Sequence, residues 1–589
     1  MSTSSTVEQV KCRVLVTVTT FASLMGVMGC AAGDFADSPG APDTASAAVD
    51  VPEIPDAPPV DFFAPDVVSV SLPEPPESCP PGLFPRADGR CTPAGIWPCP
   101  AVFVDAATGY CLPRANACEA GELAVPSVGC VPEGALDTDL PAATAPEVLV
   151  QVGDDLQAAL NSAPAGAVVR LAAGEFTGPV TIATSLWLVG AGPSLTTLTS
   201  TGDVTLRVVP GALGPPIVRV RDLGVDAPAG TAIRAEGALL VDLRGVSLAG
   251  HLRGVESHGT DGFYRRVRIQ GAQAQAIVHF GGTAHLAEAT VTDCGSLLST
   301  DGFGGGASVT DALYETALGG FVAVSHNGPS EITQLVVRGP VSAAVGRGTP
   351  HVTDSLFIGG AIGVLVGARA HIERSVFLDV AGPAIHALAS SHVHSSQNAF
   401  VDSEDHDFPG EMVRLTRAGA LMTGDTYLTR RPAALLALGP GEDPSVDVAV
   451  IGEDLLMATP MGPSGAPRDG LVASAGATVS LSASAIVGDF RAAVAVVDPT
   501  TSLLIQGSAL RTTRPTGVAV LALDGALARL VASSAAGPDV ALASHRATIK
   551  LLDSVVLGGA SDSPALPEPL APRPGLFGAD RRCGPHLHP

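Results

Sequence analysis

The chain of 589 residues carries 58 acidic against 33 basic side chains, a net charge of −25, with Lys11 and Lys550 its only lysines. A surface this negative repels phosphate backbones, which excludes nucleic acid as a partner. Aromatic residues make up 4 %, with Trp97 and Trp187 the only tryptophans, which argues against a sugar cleft lined by flat aromatic faces.

Lys11 and Arg13 precede the apolar stretch Val14–Met28, the length of a signal-peptide core and short for a membrane span. It ends in Val27-Met28-Gly29-Cys30, which resembles a bacterial lipobox. The resemblance implies that residues 1–29 are a lipoprotein signal peptide and that Cys30 becomes a lipidated N-terminus, partnered with a membrane without a spanning helix. Ala31 follows where an aspartate would signal inner-membrane retention, so the same resemblance implies the bacterial outer membrane. Residues 31–78 read as a disordered linker. Between Asp34 and Ser78 there are ten acidic residues, many prolines and no Lys or Arg, too little apolar surface to offset chain entropy.

A cysteine-rich module spans 79–130. Cys79 and Cys91, Cys99 and Cys111, and Cys118 and Cys130 each bracket eleven residues. Equal intervals in an exported chain predict three small hairpins, each closed by its own disulfide, because so few residues cannot build a sufficient core. A zinc site would need closer ligand pairs. The module is expected to stiffen a stalk.

Over residues 148–557 the chain repeats itself. Pro350-His351-Val352-Thr353-Asp354-Ser355-Leu356-Phe357 returns as Ala370-His371-Ile372-Glu373-Arg374-Ser375-Val376-Phe377, 20 residues on. Weaker echoes follow around Ser484, Ser508 and Ser554. A period of about 20–25 residues marks a solenoid, in which each unit buries its apolar face by stacking on its neighbours. Asp154-Asp155 predicts the start of a short capping helix through Asn161, with Leu156 and Leu160 on one face. The following strands and glycine turns, from Ala167 to Ile182 and from Leu186 to Gly192, resemble the first turns of right-handed parallel β-helices of the pectin lyase-like superfamily. The fold class is therefore expected to be all-β: a single-stranded right-handed parallel β-helix of about 15–18 turns, a rod about 70–85 Å long. Residues 558–589 read as a loose tail. The resemblance brings no enzyme signature. The only asparagines are Asn116, Asn161, Asn327 and Asn398, so the asparagine ladder common in pectate lyases is missing. No paired aspartate motif like that of the polygalacturonases appears.

Three features stand out for chemistry. His351, His371 and His392 open successive turns at spacings of 20 and 21, with His394 two residues on along the same face. Stacked imidazoles suit a transition metal, yet a repeating backbone also stacks identical residues, and adjacent rungs are expected to hold the rings parallel rather than convergent. The loop Asp402-Ser403-Glu404-Asp405-His406-Asp407 concentrates four carboxylates and an imidazole, with Arg414 and Arg417 shortly after. Such a set suits calcium, or acid and base roles in glycoside cleavage, and an arginine beside calcium-bound uronate is what the resembled lyases use to abstract a proton. A solvated acidic loop is the competing explanation. Cys294 to Ser330 reads as an irregular excursion around the glycine run 304–306.

The expectation is a non-catalytic, lipid-anchored surface protein whose rod binds a polysaccharide or a surface protein. The alternatives are a polysaccharide lyase or glycoside hydrolase acting on acidic polysaccharide, and a metal-binding envelope protein. No cofactor is expected, with calcium the candidate cation of the acidic loop.

Overall fold

The sequence repeat has a local cause at Asp354-Ser355. Asp354 takes φ of 49°, and its counterparts Arg374 and Gln397 take 46° and 55°. One left-handed residue turns the strand through a corner. The buried side chain that follows then accepts a backbone N–H from the previous turn. Leu335 N donates to Ser355 Oγ and Ser355 N to Ser375 Oγ, both at 3.2 Å, while Ser375 N donates to Asn398 Oδ1 and Asn398 N to Asp425 Oδ1, both at 2.8 Å. Corner N–H groups that no strand pairs are thereby satisfied. Leu455 interrupts this column, and Ser484, Ser508, Ser533 and Ser554 resume it.

These corners separate three stacked parallel sheets. In one stretch sheet A contains Pro350–Thr353, Arg369–Glu373 and His392–Ser396, sheet B contains Leu356–Ile358, Val376–Leu378 and Ala399–Val401, and sheet C contains Val364–Val366, Ile385–Ala387 and Glu411–Thr416. The pattern runs from Glu147–Val150 to Val555–Ser561, about 16 turns of a parallel β-helix. The computed structural model describes residues 79–561, apart from 81, 107, 135–143, 302–304, 320–321, 341, 347, 404–407, 409, 441–448 and 460–467. Residues 1–78, which hold the expected signal peptide, Cys30 and the expected linker, lie outside the described residues, as do 562–589; the first four residues of the expected 558–589 tail instead belong to the strand Val555–Ser561.

Alternate strand residues point inward and form one apolar column from Val150 to Leu542. Phe357, Phe377, Phe400 and Tyr427 stack within it at centroid separations of 4.9, 5.1 and 4.7 Å. The first turn is closed by the helix Leu156–Ser162, whose N-cap Asp155 accepts from Ala158 N at 2.9 Å and whose Leu156 and Leu160 are buried on the rod.

The three disulfides Cys79–Cys91, Cys99–Cys111 and Cys118–Cys130 each span 12 positions. Their module is not a free stalk. It lies along the outer face of sheet B, where Phe84, Ile96 and Phe103 pack with Leu313, Val336, Leu356, Val376 and Val401. The physical reason is visible in Leu356-Phe357 and Val376-Phe377: consecutive apolar residues face both sides of the strand, so both sides must be covered. At one end Thr290 Oγ1 donates to Ala124 O at 3.1 Å and Arg268 pairs with Glu133. At the other, Arg86 donates to Gln397 O at 2.8 Å and to Gly424 O, beside the buried Asp425. Cys294–Ser330, expected as an irregular excursion, instead contains the regular strands Ser296–Asp301, Ala307–Glu315 and Val322–His326, all in parallel register. Its residues 302–304 and 320–321 lie outside the described ones.

Candidate functional site

The corner between sheets B and C is tight in most turns: residues 429–432 alone join Thr426–Leu428 to Ala433–Leu438. It widens twice nearby, at 402–410, before Glu411–Thr416, and at 459–468, before Asp469–Ser474. These wide loops leave and rejoin the rod among charged side chains that the sequence reading did not bring together.

Asp402 is the root of the first loop. Its side chain is 1 % exposed and pairs with the fully buried Arg431, Nη2 lying 2.9 Å from Oδ1 and Nε 3.1 Å from both oxygens. Thr429 Oγ1 donates to Oδ2 at 2.5 Å. Arg431 also donates to Gly382 O at 2.6 Å and to Val380 O, and the Phe408 ring lies 4.9 Å from the guanidinium. Both Asp402 oxygens are committed away from solvent, so this carboxylate anchors its loop. Glu404, Asp405 and Asp407 lie outside the described residues.

Arg414 stands on the outer face of sheet C, where its Nε and Nη2 reach Glu411 Oε2 at 3.0 and 2.8 Å. His386 is in register with it one turn earlier. Burial, and then the Arg414 charge, lower the basicity of His386. Arg417 sits at the next corner, between sheets C and A, with φ of 55°. The two arginines therefore do not converge.

Farther along the B–C corner, Arg468 and Arg491 each immediately precede a sheet C strand, and the following residues, Asp469 and Ala492, are in register. Arg491 N donates to Arg468 O at 2.6 Å, and Arg491 Nε donates to Asp469 Oδ1 at 3.0 Å. Arg468 is 5 % exposed, yet its buried Nε and Nη1 have no acceptor among the described residues. Arg514 Nη1, from the turn after Arg491, and Asp489 Oδ2 are likewise buried without a partner among the described residues. The sequence signal for this set is faint: charged residues at the entry to strands otherwise made of Ala, Val and Leu.

The histidines form a different column from the one their spacing gave. His351 is in register with His371, and His371 with His394. His392 pairs instead with Arg369, in a neighbouring column. The rings also are not parallel, since His351–His371 and His371–His394 both meet at 71°. Upstream, the same outer column continues through Glu331 and Ser308 to His285, which stacks on Phe263 at 4.5 Å.

No protein-family model matches the chain, and no curated protein does. Among solved structures it is similar to the catalytic domain of a GH87 alpha-1,3-glucanase, at 12 % identity over 72 % of this chain and 70 % of that one, with a TM-score of 0.26. It is similar to a PL6 family alginate lyase at 11 % identity over 70 % and 81 %, TM-score 0.27. It is also similar to the A-module of an Azotobacter vinelandii mannuronan C-5 epimerase at 13 % identity over 68 % and 91 %, TM-score 0.19. At such scores these likenesses add nothing to the strand register, on which the fold assignment stands.

Proposed function

We propose that the protein is a lipid-anchored bacterial envelope protein whose β-helix binds acidic polysaccharide at the B–C corner. The observation that supports this most is Arg468, a guanidinium almost wholly out of water with two N–H groups left without acceptors among the described residues. A buried donor without a partner costs about 1–3 kcal/mol, more when charged. A ligand carboxylate or sulfate would remove that cost, and Arg514 Nη1 offers another such donor two turns further along the same corner. In a protein of net charge −25, a local cluster of arginines is also the natural place for an anionic chain to approach. Attachment through lipid at Cys30 to the outer membrane rests on Val27-Met28-Gly29-Cys30 and Ala31. The test is retention of the protein on an immobilised polyuronate but not on its carboxyl-reduced, neutral form, with retention lost in high salt. Equal retention on both would remove the reading.

A second reading is cleavage of that polysaccharide by a lyase or hydrolase. It is favoured by Asp489, whose Oδ2 has no donor among the described residues and which lies two positions before Arg491. A carboxylate oxygen without a donor supplies a proton acceptor, and the arginines of the same corner a means of neutralising a uronate. Asp489→Asn would then abolish release of shortened or unsaturated oligosaccharides, assayed with calcium and with a chelator, while leaving retention intact. No oligosaccharide release by the unmodified protein under either condition would leave binding alone.

A further inference from the structure

The outer face of sheet A carries a second arrangement, remote from the B–C corner. His371 Nδ1 and His394 Nδ1 face one another at 3.2 Å across adjacent turns, with their rings crossed at 71°. Two imidazole nitrogens bound tetrahedrally to one zinc ion, each about 2.0–2.1 Å from it, stand about 3.3 Å apart. The pair already has the bite of a chelate. His351 flanks His371 from the previous turn, its ring centroid 5.9 Å away and also crossed at 71°. The parallel stacking that would prevent convergence is therefore absent here.

We propose that His371 and His394 chelate a borderline divalent transition ion of the zinc, copper or nickel type. Imidazole suits all three ions. Without metal, one ring of the pair donates its Nδ1–H to the other, so the same contact preorganises both rings. The groups facing the site are Glu331 and Thr353 on the strands before it, Arg369 and Glu373 on its own, and His392, Ser396 and Leu421 after it. Binding requires neutral rings, so affinity falls as pH drops through the histidine range.

Register supplies the decisive control, because His392 is nearer than His394 to the naive 20-residue spacing yet lies in the Arg369 column. The experiment is calorimetric titration of the full chain with zinc, and with copper followed by electron paramagnetic resonance. Loss of a ligand weakens binding by at least the roughly tenfold that loss of an outer-shell partner costs. His371→Ala and His394→Ala are expected to show that loss, and His351→Ala and His392→Ala none. All four side chains project from the outer face, so unchanged circular dichroism separates loss of ligation from loss of fold. The proposal is overturned if the unmodified chain takes up neither ion, if His371→Ala and His394→Ala bind like wild type, or if His392→Ala weakens binding as much as they do.

Discussion

Arg86→Met separates the disulfide module from the charge it faces. Arg86 is 3 % exposed and donates to Gln397 O at 2.8 Å, to Asn398 O and Thr426 Oγ1 at 3.3 Å, and to Gly424 O. Removing one member of such a buried charged set costs about 3–5 kcal/mol. Asp425, fully buried, has its pKa pushed up by burial to about 6 in spite of hydrogen bonds from Ser395 and Asn398 and the Arg86 charge. A folded-state pKa above the unfolded value of 3.8 means that this group's contribution is complete below about pH 4 and is lost as pH rises through about 6. The full swing is on the order of 3 kcal/mol, at about 1.4 kcal/mol per unit. Without Arg86 the carboxyl rises further, so the variant's deficit should be larger at pH 8 than at pH 5. Urea unfolding at both pH values reads it, with Trp97 in the module and Trp187 in the rod as the two fluorescent reporters. A deficit of equal size at both pH values, or none at either, would refute the coupling.

Other expectations concern the rod itself. Arg431→Met leaves Asp402 buried without its partner and should cost about 3–5 kcal/mol in urea unfolding, with Asp402→Asn in the same chain recovering part of it. Phe377→Ala removes a middle ring from the aromatic stack and should cost about 3–5 kcal/mol, whereas Phe263→Ala on the outer face should stay within about 0.5 kcal/mol.

The fold was legible because its rule is local. A left-handed residue followed by Ser builds the A–B corner in several turns, and so Asp354-Ser355, Arg374-Ser375 and Asp553-Ser554 recur in the sequence as they do in space. The docked module was less so, although the doubly apolar Leu356-Phe357 and Val376-Phe377 already required a cover on sheet B. The histidine column was misread by two residues because turns differ in length: the step from His351 to His371 is 20 residues, and that from His371 to its true neighbour His394 is 23. Asp402 and Arg431 are 29 residues apart with no motif between them, so only the coiling of the chain reveals that the acid anchors its loop. Arg468 carries only the faint mark of a charge at the entry to an apolar strand; its significance lies in its buried Nε and Nη1 having no acceptor among the described residues.

The central claim is that Arg468 is kept for an anionic ligand and not for the fold. The direct measurement pairs calorimetric binding of a uronate oligosaccharide with urea unfolding, in wild type, Arg468→Met and the remote outer-face variant Arg529→Met. Replacing an orphaned buried donor by an apolar chain of similar length is nearly neutral or stabilising, whereas losing a charged hydrogen bond to ligand costs about 1.5–3 kcal/mol, roughly 10- to 150-fold in affinity. Arg468→Met is therefore predicted to keep or gain stability while losing that affinity, with Arg529→Met unchanged in both. Wild-type affinity in Arg468→Met, or a loss of stability with binding intact, would contradict the account.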